Sequence, residues 1–555
     1  MDTAVWKDLA DYPSLLRKLL YNRGILSSQS ARDFLYGGEH LLHDPFLMSG
    51  MNAAVERILL AMRRDEQIVV YGDYDVDGVT ATALLVECLQ LLGMKVSPYI
   101  PNRFDEGYGL NKEALYSLRS GERAADLVIS VDCGIRSQAE AIYAREIGLD
   151  LIITDHHHPS DDVPECVAVL DPKRNGDEYP YKDLAGVGIA YKLAQAVVQK
   201  VSPASDLAEK RLDLVALGTV ADMAPLSGEN RELVRRGISL LRSGNRVGIR
   251  ALAAEAGIAY SRITSGDIGF LLGPRLNAAG RLETAMDSFQ LLVSDNDVDA
   301  MKYASSLQKQ NEERQKQTRE TQQKAANSIG QLMPGEYLLF VVDPDFNEGI
   351  VGLAASKLLD QYYRPSIVGR RDAETTRCSC RSIPGFHIAQ ALDECADLLV
   401  KHGGHAAAAG FTVENRNLAA LQDRLKEIAR RELHDTELVA SITAEAEVSL
   451  KDLNGDFYQQ QELLHPLGYG NPEPCYVIRN VQVLQKSVIG KEKTHLRLVL
   501  KDDRSGAVMN AIAFHFGYLA DVLPARVDIL GSLDMNHYNG QSTLQIRVKD
   551  IRQPE

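Results

Sequence analysis

One short stretch of the chain places three carboxylates directly after an apolar run. From Ile68 it reads Ile-Val-Val-Tyr-Gly-Asp-Tyr-Asp-Val-Asp-Gly, and its acidic residues are Asp73, Asp75 and Asp77. In an extended chain these alternating side chains would point to the same side. Three crowded like charges are unfavourable unless a cation lies between them. The pattern therefore predicts a site for divalent metal ions.

Three further apolar runs also end in potential metal ligands. Residues 151–154 lead into Asp155, His156 and His157, while Asp132 and Asp222 follow the runs that begin at Ile129 and Leu217. A single Asp at a strand end more often caps a helix or makes a turn. Four strand ends that all carry such residues favour metal binding, and the expected two-ion set is Asp75, Asp77, Asp132, His156 and Asp222.

The residue types also indicate which ions fit. Carboxylate oxygens suit Mg²⁺ or Mn²⁺, and the imidazole of His156 favours Mn²⁺. A carboxylate bridging two ions about 3.5–4 Å apart would let them stabilise the attacking and leaving oxygens of a hydrolysis. One of His157 and His158 is expected to bind phosphate or donate a proton, and the other to brace the loop before Pro159. The sequence does not show which histidine has which role.

The elements that must position these residues form an α/β pattern. Short β-rich runs at 68–71, 95–100, 126–131, 151–154 and 167–170 alternate with helical segments, which predicts a parallel sheet covered by helices on both faces. Ligands of such sheets gather at the carboxyl ends of the strands, where the acidic and His clusters lie. We expect a helical leader at 1–55 and a catalytic domain at 56–295.

The second half of the chain predicts three more parts. Polar residues 296–332 contain no Pro and indicate a long connecting helix, and a second α/β domain follows at 333–435. Residues 436–555 carry five short strands with turn signals, which predicts a small β-barrel. Tyr538 and Phe516 are its candidate base-stacking residues.

Two glycine-rich stretches could approach a phosphate closely. Residues 403–410 combine paired glycines and small side chains with His405, and residues 273–281 place Arg275 and Arg281 beside Gly. Arg377, Arg381 and Ser382 could hold another phosphate. Alternatively, residues 403–410 start a tightly packed helix and the arginines are only solvated.

Composition limits the function classes. The chain of 555 residues carries a net charge of -15, but residues 476–555 contain 11 Lys and Arg against 8 Asp and Glu, which gives weak support for a nucleic-acid module there. Seven scattered cysteines indicate a reducing cytoplasm. Neither a signal peptide nor an apolar run of roughly 18 residues is present in the sequence, so no membrane association is expected. Residues 72–80 lack a P-loop Lys, and residues 186–188 lack the third Gly of a dinucleotide fingerprint, which disfavours ATP hydrolysis and hydride transfer.

Four motifs resemble those of the DHH phosphoesterase superfamily: residues 71–78, 131–134, 155–157 and 221–222. Further segments resemble the branch of bacterial single-strand-specific 5′→3′ exonucleases: residues 106–109, 273–281, 381–386, 403–405 and 466–474. The resemblance extends over nearly the whole chain from about residue 45. It implies a DHH domain, a DHH-associated domain and an OB-like barrel.

The resemblance also implies roles for single residues. Implied metal ligands are Asp73, Asp75, Asp77, Asp132, His156 and Asp222, with Asp75, Asp132 and His157 as the catalytic set. Implied contacts to the DNA backbone or its 5′ phosphate are Arg103, Arg275, Arg281, Ser379, Arg381, Gly404 and His405. Tyr71 departs from members with a metal-binding His at that position, so Asp73 or water would complete the shell.

The implied activity is two-metal hydrolysis of single-stranded DNA from the 5′ end to 5′-mononucleotides. The implied setting is recombinational and mismatch repair, beside single-strand binding protein and a RecQ-type helicase. One alternative is hydrolysis of nano-RNA or cyclic dinucleotides, as in shorter members, which would need no C-terminal strand groove. Another is a non-catalytic replication scaffold, which would be expected to lack the ligand set.

Overall fold

The computed structural model describes residues 3–102, 106–107, 109–121, 123–160, 162–282, 284–538 and 541–554. The chain divides into two compact units. Unit 1 comprises Met1–Pro101, Tyr108–Gly273 and Ile442–Glu555, and unit 2 comprises Asn102–Gly107 and Pro274–Ser441.

The first part of unit 1 alternates short strands with helices. Its strands are β1 (Gln67–Gly72), β2 (Lys95–Tyr99), β3 (Leu127–Val131), β4 (Asp150–Thr154) and β5 (Ala168–Leu170). Its helices are α1 (Thr3–Asp8), α2 (Ser14–Asn22), α3 (Ser28–Tyr36), α4 (Met51–Arg64), α5 (Val76–Leu91), α6 (Lys112–Ser120), α7 (Gln138–Glu146), α8 (Gly186–Val201), α9 (Leu212–Ala221), α10 (Gly228–Ser243), α11 (Val247–Glu255) and α12 (Ser265–Asp267). A π-helix over Ile268–Leu272 follows α12.

The predicted parallel sheet is confirmed, with strand order β2-β1-β3-β4-β5. Strand β3 is buried along its full length, as expected of a parallel strand covered on both faces. Gly72 pairs with Val131, which pairs with Thr154. Because these three residues end their strands in register, the residues that follow them emerge at one edge of the sheet.

Unit 2 contains a mixed sheet and the long helix predicted from the sequence. Its helices are α13 (Gly273–Leu282), α14 (Met286–Val293), α15 (Asp297–Ile329), α16 (Val351–Tyr362), α17 (Ile388–Asp393) and α18 (Leu418–Leu433). Its strands are β6 (Leu339–Asp343), β7 (Ser366–Arg371), β8 (Thr375–Arg381), β9 (Leu399–Gly404) and β10 (Ala408–Glu414), in the order β6-β7-β8-β10-β9. The β6–β7 pair is parallel and the others are antiparallel.

The C-terminal part of unit 1 is the predicted barrel. It contains α19 (Gly455–Glu462) and the strands β11 (Ala446–Glu447), β12 (Tyr476–Ile489), β13 (His495–Lys501), β14 (Val508–Ala513), β15 (Arg526–Tyr538) and β16 (Gln541–Arg552). Pairing of β12 with β15 closes five strands into a barrel. Leu16, Leu19 and Leu20 of α2 belong to the same apolar core as barrel residues Tyr476 and Leu498. The N-terminal helices therefore bury their apolar faces against the barrel.

Within the described ranges, none of the helices combines the length and apolar character needed to cross a bilayer.

A buried ion pair links α8 to α10. Lys192 Nζ lies 2.6 Å from Glu229 Oε1, and both side chains are 0% exposed. Tyr179 Oη donates to Glu229 Oε2 at 2.7 Å, and the His43 backbone N–H donates to Oε1 at 3.0 Å. Burial lowers the pKa of Lys192. The carboxylate depends on these donors because no water can replace them.

Lys192→Met should destabilise the protein strongly. The substitution keeps the volume but leaves the Glu229 charge buried without its cation, which costs about 3–5 kcal/mol. Urea-induced unfolding followed by circular dichroism measures the free energy of unfolding. Lys210→Met is the matched control, since Lys210 and Asp206 form an exposed pair on the surface. Equal stabilities of the two variants would contradict a structural role for the buried pair.

Candidate metal centre

The first aspartate cluster spans the turn from β1 into α5. Asp75 is the N-cap of α5, and its Oδ1 accepts from the Gly78 N–H at 3.1 Å. Asp77 lies in the first turn of the helix. The expectation of an extended segment with three carboxylates on one side is therefore wrong, because helix capping by Asp75 ends the extended conformation.

Asp77 is buried and held by the N-terminus of α8. Its Oδ2 accepts from the Gly186 N–H at 2.7 Å, and its Oδ1 accepts from the Val187 N–H at 2.8 Å. These N–H groups have no partner within their own helix and carry the positive end of its dipole. The helix thus fixes the orientation of Asp77.

Asp132 and Asp222 arrive from different kinds of element. Asp132 follows β3 with a φ of 61° and is 2% exposed. A left-handed conformation is uncommon for residues other than Gly and is often found at functional sites. Asp222 caps the C-terminus of helix α9. The prediction that Asp222 ends a strand is therefore wrong, and the apolar run from Leu217 is part of a buried helix.

His156 brings the carboxylates together. Its Nε2 lies 3.1 Å from Asp132 Oδ1, 3.9 Å from Asp77 Oδ2 and 3.8 Å from Asp222 Oδ2. This buried Nε2 makes no hydrogen bond among the described residues. A buried ring nitrogen facing three carboxylate oxygens matches the donor set of a metal site.

A second set of ligand atoms includes Asp132, which also lies beside His156 of the first set. Ligand atoms of Asp73, Asp75 and Asp132 lie within 4.8 Å of one another, as do those of Asp77, His156 and Asp222. Both sets offer hard oxygen donors, so the residues present fit Mn²⁺ or Mg²⁺.

The pKa shifts show the cost of this arrangement without a cation. Burial, followed by the charges of neighbouring carboxylates, raises the pKa of Asp77 and Asp132 well above the usual range. Burial and then Asp75 raise the pKa of Asp222 to about 7. Burial lowers the pKa of His156 to about 3, which keeps its imidazole neutral and able to bind a metal.

Three glycines allow the ligands to crowd together. A Cβ on Gly186 would lie 2.6 Å from Asp132 Oδ1, and one on Gly218 would lie 2.8 Å from Asp77 Oδ1. A Cβ on Gly78 would lie 2.6 Å from the Asp73 backbone nitrogen. Sequence reasoning did not assign this packing role to the three glycines. It considered Gly186 only as part of a dinucleotide fingerprint, which residues 186–188 do not complete.

Asp155 orients His157. Its Oδ1 accepts from His157 Nδ1 at 2.7 Å, and its Oδ2 accepts from the Ile135 N–H at 2.9 Å. Burial alone would raise the pKa of Asp155, but the hydrogen bond from His157 lowers it. Burial by itself would lower the pKa of His157, but the Asp155 carboxylate raises this pKa to about 9. The structure distinguishes the two histidines: a ring nitrogen of His157 lies within 4.8 Å of ligand atoms of Asp132 and His156, whereas His158 is exposed.

Lys173 was not predicted as part of the site, and Tyr71 has a structural role beside it. Lys173 Nζ donates to the His156 carbonyl oxygen at 2.6 Å and braces the loop after β4. Tyr71 is fully buried and its hydroxyl donates to the Gly109 carbonyl oxygen at 3.0 Å. Tyr71 thus supports the sheet core, where its ring packs 5.0 Å from that of Tyr99.

Four of the predicted phosphate-binding residues of unit 2 lie on α13 and β8. Arg275 Nε on α13 donates to Gln308 Oε1 at 2.8 Å, and Arg281 Nη1 donates to the Gly349 carbonyl oxygen at 3.3 Å. Ser379 and Arg381 alternate on β8, and a Cβ on Gly352 would lie 3.2 Å from Ser379 Oγ and from Arg381 Nη2. These two side chains therefore face the first turn of α16.

Gly404 ends β9 and His405 begins the connection to β10, so this stretch does not start a helix. Gly404 has a φ of 149°, and a Cβ there would lie 2.4 Å from Ala409 Cα. His405 is exposed and its backbone N–H donates to the Ala408 carbonyl oxygen at 2.8 Å. Arg103 lies outside the described residues.

The stacking candidates of the barrel differ in exposure. Phe516 is half-buried, and its ring stacks on the more exposed Tyr518 with centroids 6.2 Å apart. Phe514 nearby is 47% exposed. The side chain of Tyr538 is outside the described part of the chain. Tyr518 and Phe514 are therefore more exposed than the predicted stacking residue Phe516.

Metal-free protein should lose stability as pH rises from about 4 through 7. Carboxyl groups with a raised pKa, including Asp222 at about 7 against an ordinary 3.8, stabilise the fold while they are protonated. This contribution is complete below about pH 4 and is lost as the pH rises through the raised pKa. Mn²⁺ should therefore raise the melting temperature more at pH 8 than at pH 5. Calorimetric melting in EDTA and in Mn²⁺ measures both effects.

Asp132→Asn supplies the matched comparison for this pH effect. The variant removes one crowded charge, so its metal-free form should lose less stability between pH 5 and pH 8, and Mn²⁺ should stabilise it less. An unchanged Mn²⁺ response in Asp132→Asn would contradict its place among the ligands.

Comparison with known proteins agrees with this architecture. The model of the DHH family, N-terminal domain, matches residues 67–219, the DHHA1 domain matches 335–431 and the RecJ OB domain matches 444–550. The crystal structure of RecJ in complex with Mn²⁺ from Thermus thermophilus aligns with a TM-score of 0.85 and 29% identity, covering 100% of this chain and 78% of that chain. Its complex with Mg²⁺ aligns with a TM-score of 0.79 and 27% identity, covering 100% of this chain and 77% of that one.

Two sequence relatives extend this similarity over almost the full chain. The single-stranded-DNA-specific exonuclease RecJ of Bacillus subtilis is 37% identical, covering 97% of this chain and 67% of that protein. The exonuclease of the same name from Salmonella typhimurium is 34% identical, covering 98% of this chain and 96% of that protein. With all three domains matched, the chain belongs to the RecJ family of single-stranded-DNA-specific exonucleases.

Proposed function

We propose that this protein hydrolyses single-stranded DNA from its 5′ end, releases 5′-mononucleotides and uses two divalent ions. The observation that carries the proposal is Asp132, which contributes ligand atoms to one acidic set and lies 3.1 Å from His156 of the other. A carboxylate between two sets can serve two ions at once.

The chain's own residues define the reaction site. Asp73, Asp75 and Asp132 would hold one ion, and Asp77, Asp132, His156 and Asp222 the other. When bound, Mn²⁺ or Mg²⁺ would activate water and offset the negative charge on the phosphate oxygens. The N-terminus of α8 and the Lys173 ammonium keep Asp77 and His156 in place.

His157 is the proposed proton donor. Its pKa of about 9 keeps the imidazole protonated at neutral pH, and Nδ1 is engaged by Asp155. The Nε2–H group would bind a phosphate oxygen or protonate the departing 3′ oxygen. The side chain is 38% exposed, so substrate can reach it.

Groups outside the metal centre supply affinity for a strand. We assign the DNA backbone or the 5′ phosphate to Arg275, Arg281, Ser379, Arg381, Gly404 and His405, with Arg103 as a further candidate. Exposed Tyr518 and Phe514 on the closed barrel offer sequence-tolerant stacking surfaces. A substrate of one or two nucleotides would need no such surface.

Asp132→Ala and His157→Ala should each lower the rate of hydrolysis by about a hundredfold or more, since one removes a ligand and the other a proton donor. A 5′-³²P-labelled single strand with Mn²⁺ is the substrate, and thin-layer chromatography identifies the product. Early release of labelled mononucleotide from wild-type protein supports 5′→3′ polarity. Asp206→Ala, at an exposed carboxylate, should retain full activity.

Three outcomes of this assay would contradict the proposal. Labelled product that appears only at the end of digestion indicates the opposite polarity. Faster turnover of a linear or cyclic dinucleotide than of the long strand indicates a nano-RNA or cyclic-dinucleotide phosphodiesterase. Full activity of Asp132→Ala excludes the proposed ligand sets.

We further propose a cytoplasmic role in recombinational and mismatch repair, together with single-strand binding protein and a RecQ-type helicase. The family resemblance supports this setting, in which unwinding precedes digestion. On a duplex with a 5′ overhang, the protein alone should stop near the junction, and a RecQ-type helicase with ATP should extend digestion into the duplex. Equal digestion without the helicase, followed on a sequencing gel, would contradict the requirement for a partner.

A further inference from the structure

Residues 466–474, one of the segments that carry the family resemblance, contain a tight turn with Tyr469 at its tip. The Gly468 N–H donates to the Asn471 carbonyl oxygen at 2.8 Å, and the Asn471 N–H donates to the Gly468 carbonyl oxygen at 3.1 Å. Gly470 beside the tip has a φ of 76°, a conformation that favours glycine. Tyr469 is 61% exposed. The turn therefore presents an aromatic side chain to solvent.

Buried hydrogen bonds hold this turn in place. The buried Arg231 donates from Nη1 to the Pro466 carbonyl oxygen at 3.0 Å and from Nη2 to the Leu464 carbonyl oxygen at 3.0 Å. The Asn471 side-chain amide donates to the same two carbonyl oxygens, each at 2.8 Å. Buried polar networks of this kind make their surroundings rigid. Tyr469 thus stands on a fixed support.

The turn lies against the loop that follows the proposed metal ligand Asp222. The Leu226 N–H donates to the Tyr469 carbonyl oxygen at 2.8 Å. A Cβ on Gly470 would lie 3.3 Å from Pro225 Cβ. Four residues separate Leu226 from Asp222, and a chain of that length spans at most about 14 Å. A strand held at the metal centre would therefore pass within reach of the turn.

Two more large apolar side chains are exposed at the end of α9. Met223 directly follows Asp222, is 66% exposed and has a φ of 62°. Phe270 is 84% exposed and belongs to the π-helix that packs on this end of α9, where a Cβ on Gly269 would lie 3.8 Å from Val220 Cγ1. Short π-helices are frequent at functional sites. Apolar area is therefore exposed from two directions around Asp222.

A further hydrogen bond completes the contacts among these parts. Ser265, at the start of the helical segment 265–272, donates from Oγ to the Leu467 carbonyl oxygen at 2.6 Å. The turn, the helical segment and the end of α9 with its loop thus contact one another in pairs, and each exposes one large apolar side chain. Exposed apolar groups gathered beside a functional site indicate a surface that binds a ligand.

We propose that Tyr469 and Phe270 stack on bases of single-stranded DNA beside the metal centre, with Met223 as an additional apolar contact. This assignment rests on the proposed function and names residues that recognise unpaired bases. Stacking on an aromatic ring tolerates any sequence because every base has a π-face. Bases inside a duplex are stacked within the helix and are not available to these rings. The platform therefore favours an unpaired strand.

Tyr469→Ala should weaken binding of single-stranded DNA by about tenfold, the usual order of effect when one stacked aromatic side chain is removed. Tyr469→Phe should retain the affinity of the parent protein because the ring remains. Fluorescence anisotropy with labelled oligothymidylate, in the non-cleaving Asp132→Ala background, measures both. The melting temperature of Tyr469→Ala should stay close to that of the parent, since the ring is exposed and the backbone makes the contacts to Leu226.

Strands with one abasic nucleotide at successive positions from the 5′ end show whether the contact is a stack. At one position the missing base should weaken binding to the parent protein by about tenfold, and at that position Tyr469→Ala should show no further loss. Tyr116→Ala is the matched control, because Tyr116 is a similarly exposed residue of α6. It should leave the affinity for intact and abasic strands unchanged.

Unchanged affinity in Tyr469→Ala would overturn the stacking assignment. The assignment would also be wrong if abasic nucleotides weakened binding of Tyr469→Ala as much as binding of the parent at every position, because the ring and the base would then act independently. A wild-type protein that neither binds nor digests single-stranded DNA would instead overturn the proposed function. The failures are distinguishable because the first two leave digestion by wild-type protein intact.

Discussion

Repulsion among buried carboxylates is the interaction on which the rest of this structure depends. Asp77 and Asp132 lie beside His156 at the carboxyl edge of the parallel sheet, and their charges are stable together only with a cation or a proton. The fold supplies partial compensation through the N–H groups at the start of α8. The remaining imbalance is what gives the site its affinity for divalent metal.

The sequence predicted most of the architecture for reasons that are local. Apolar runs of β-branched residues became β1, β3 and β4, and the polar residues 296–332 became α15. The metal-ligand types could also be predicted from the sequence. A single Asp after an apolar run is usually a helix cap or turn residue, but Asp and His after four such runs favour metal binding. Two local expectations were wrong: the segment 73–77 bends into α5 because Asp75 caps it, and the run before Asp222 is helical.

Sequence alone determined which residue types could bind metal, that β1, β3 and β4 deliver them to one edge, and which superfamily they resemble. Tertiary structure decided which of them meet. It separated Asp155, which orients His157, from the ligands around His156, and it showed why Gly78, Gly186 and Gly218 must be glycine. It also revealed Lys173, whose ammonium group donates to the carbonyl oxygen of His156, 17 residues earlier in the chain. Burial, charge compensation and close packing depend on contacts between residues that are distant in sequence. Local sequence patterns therefore do not predict them.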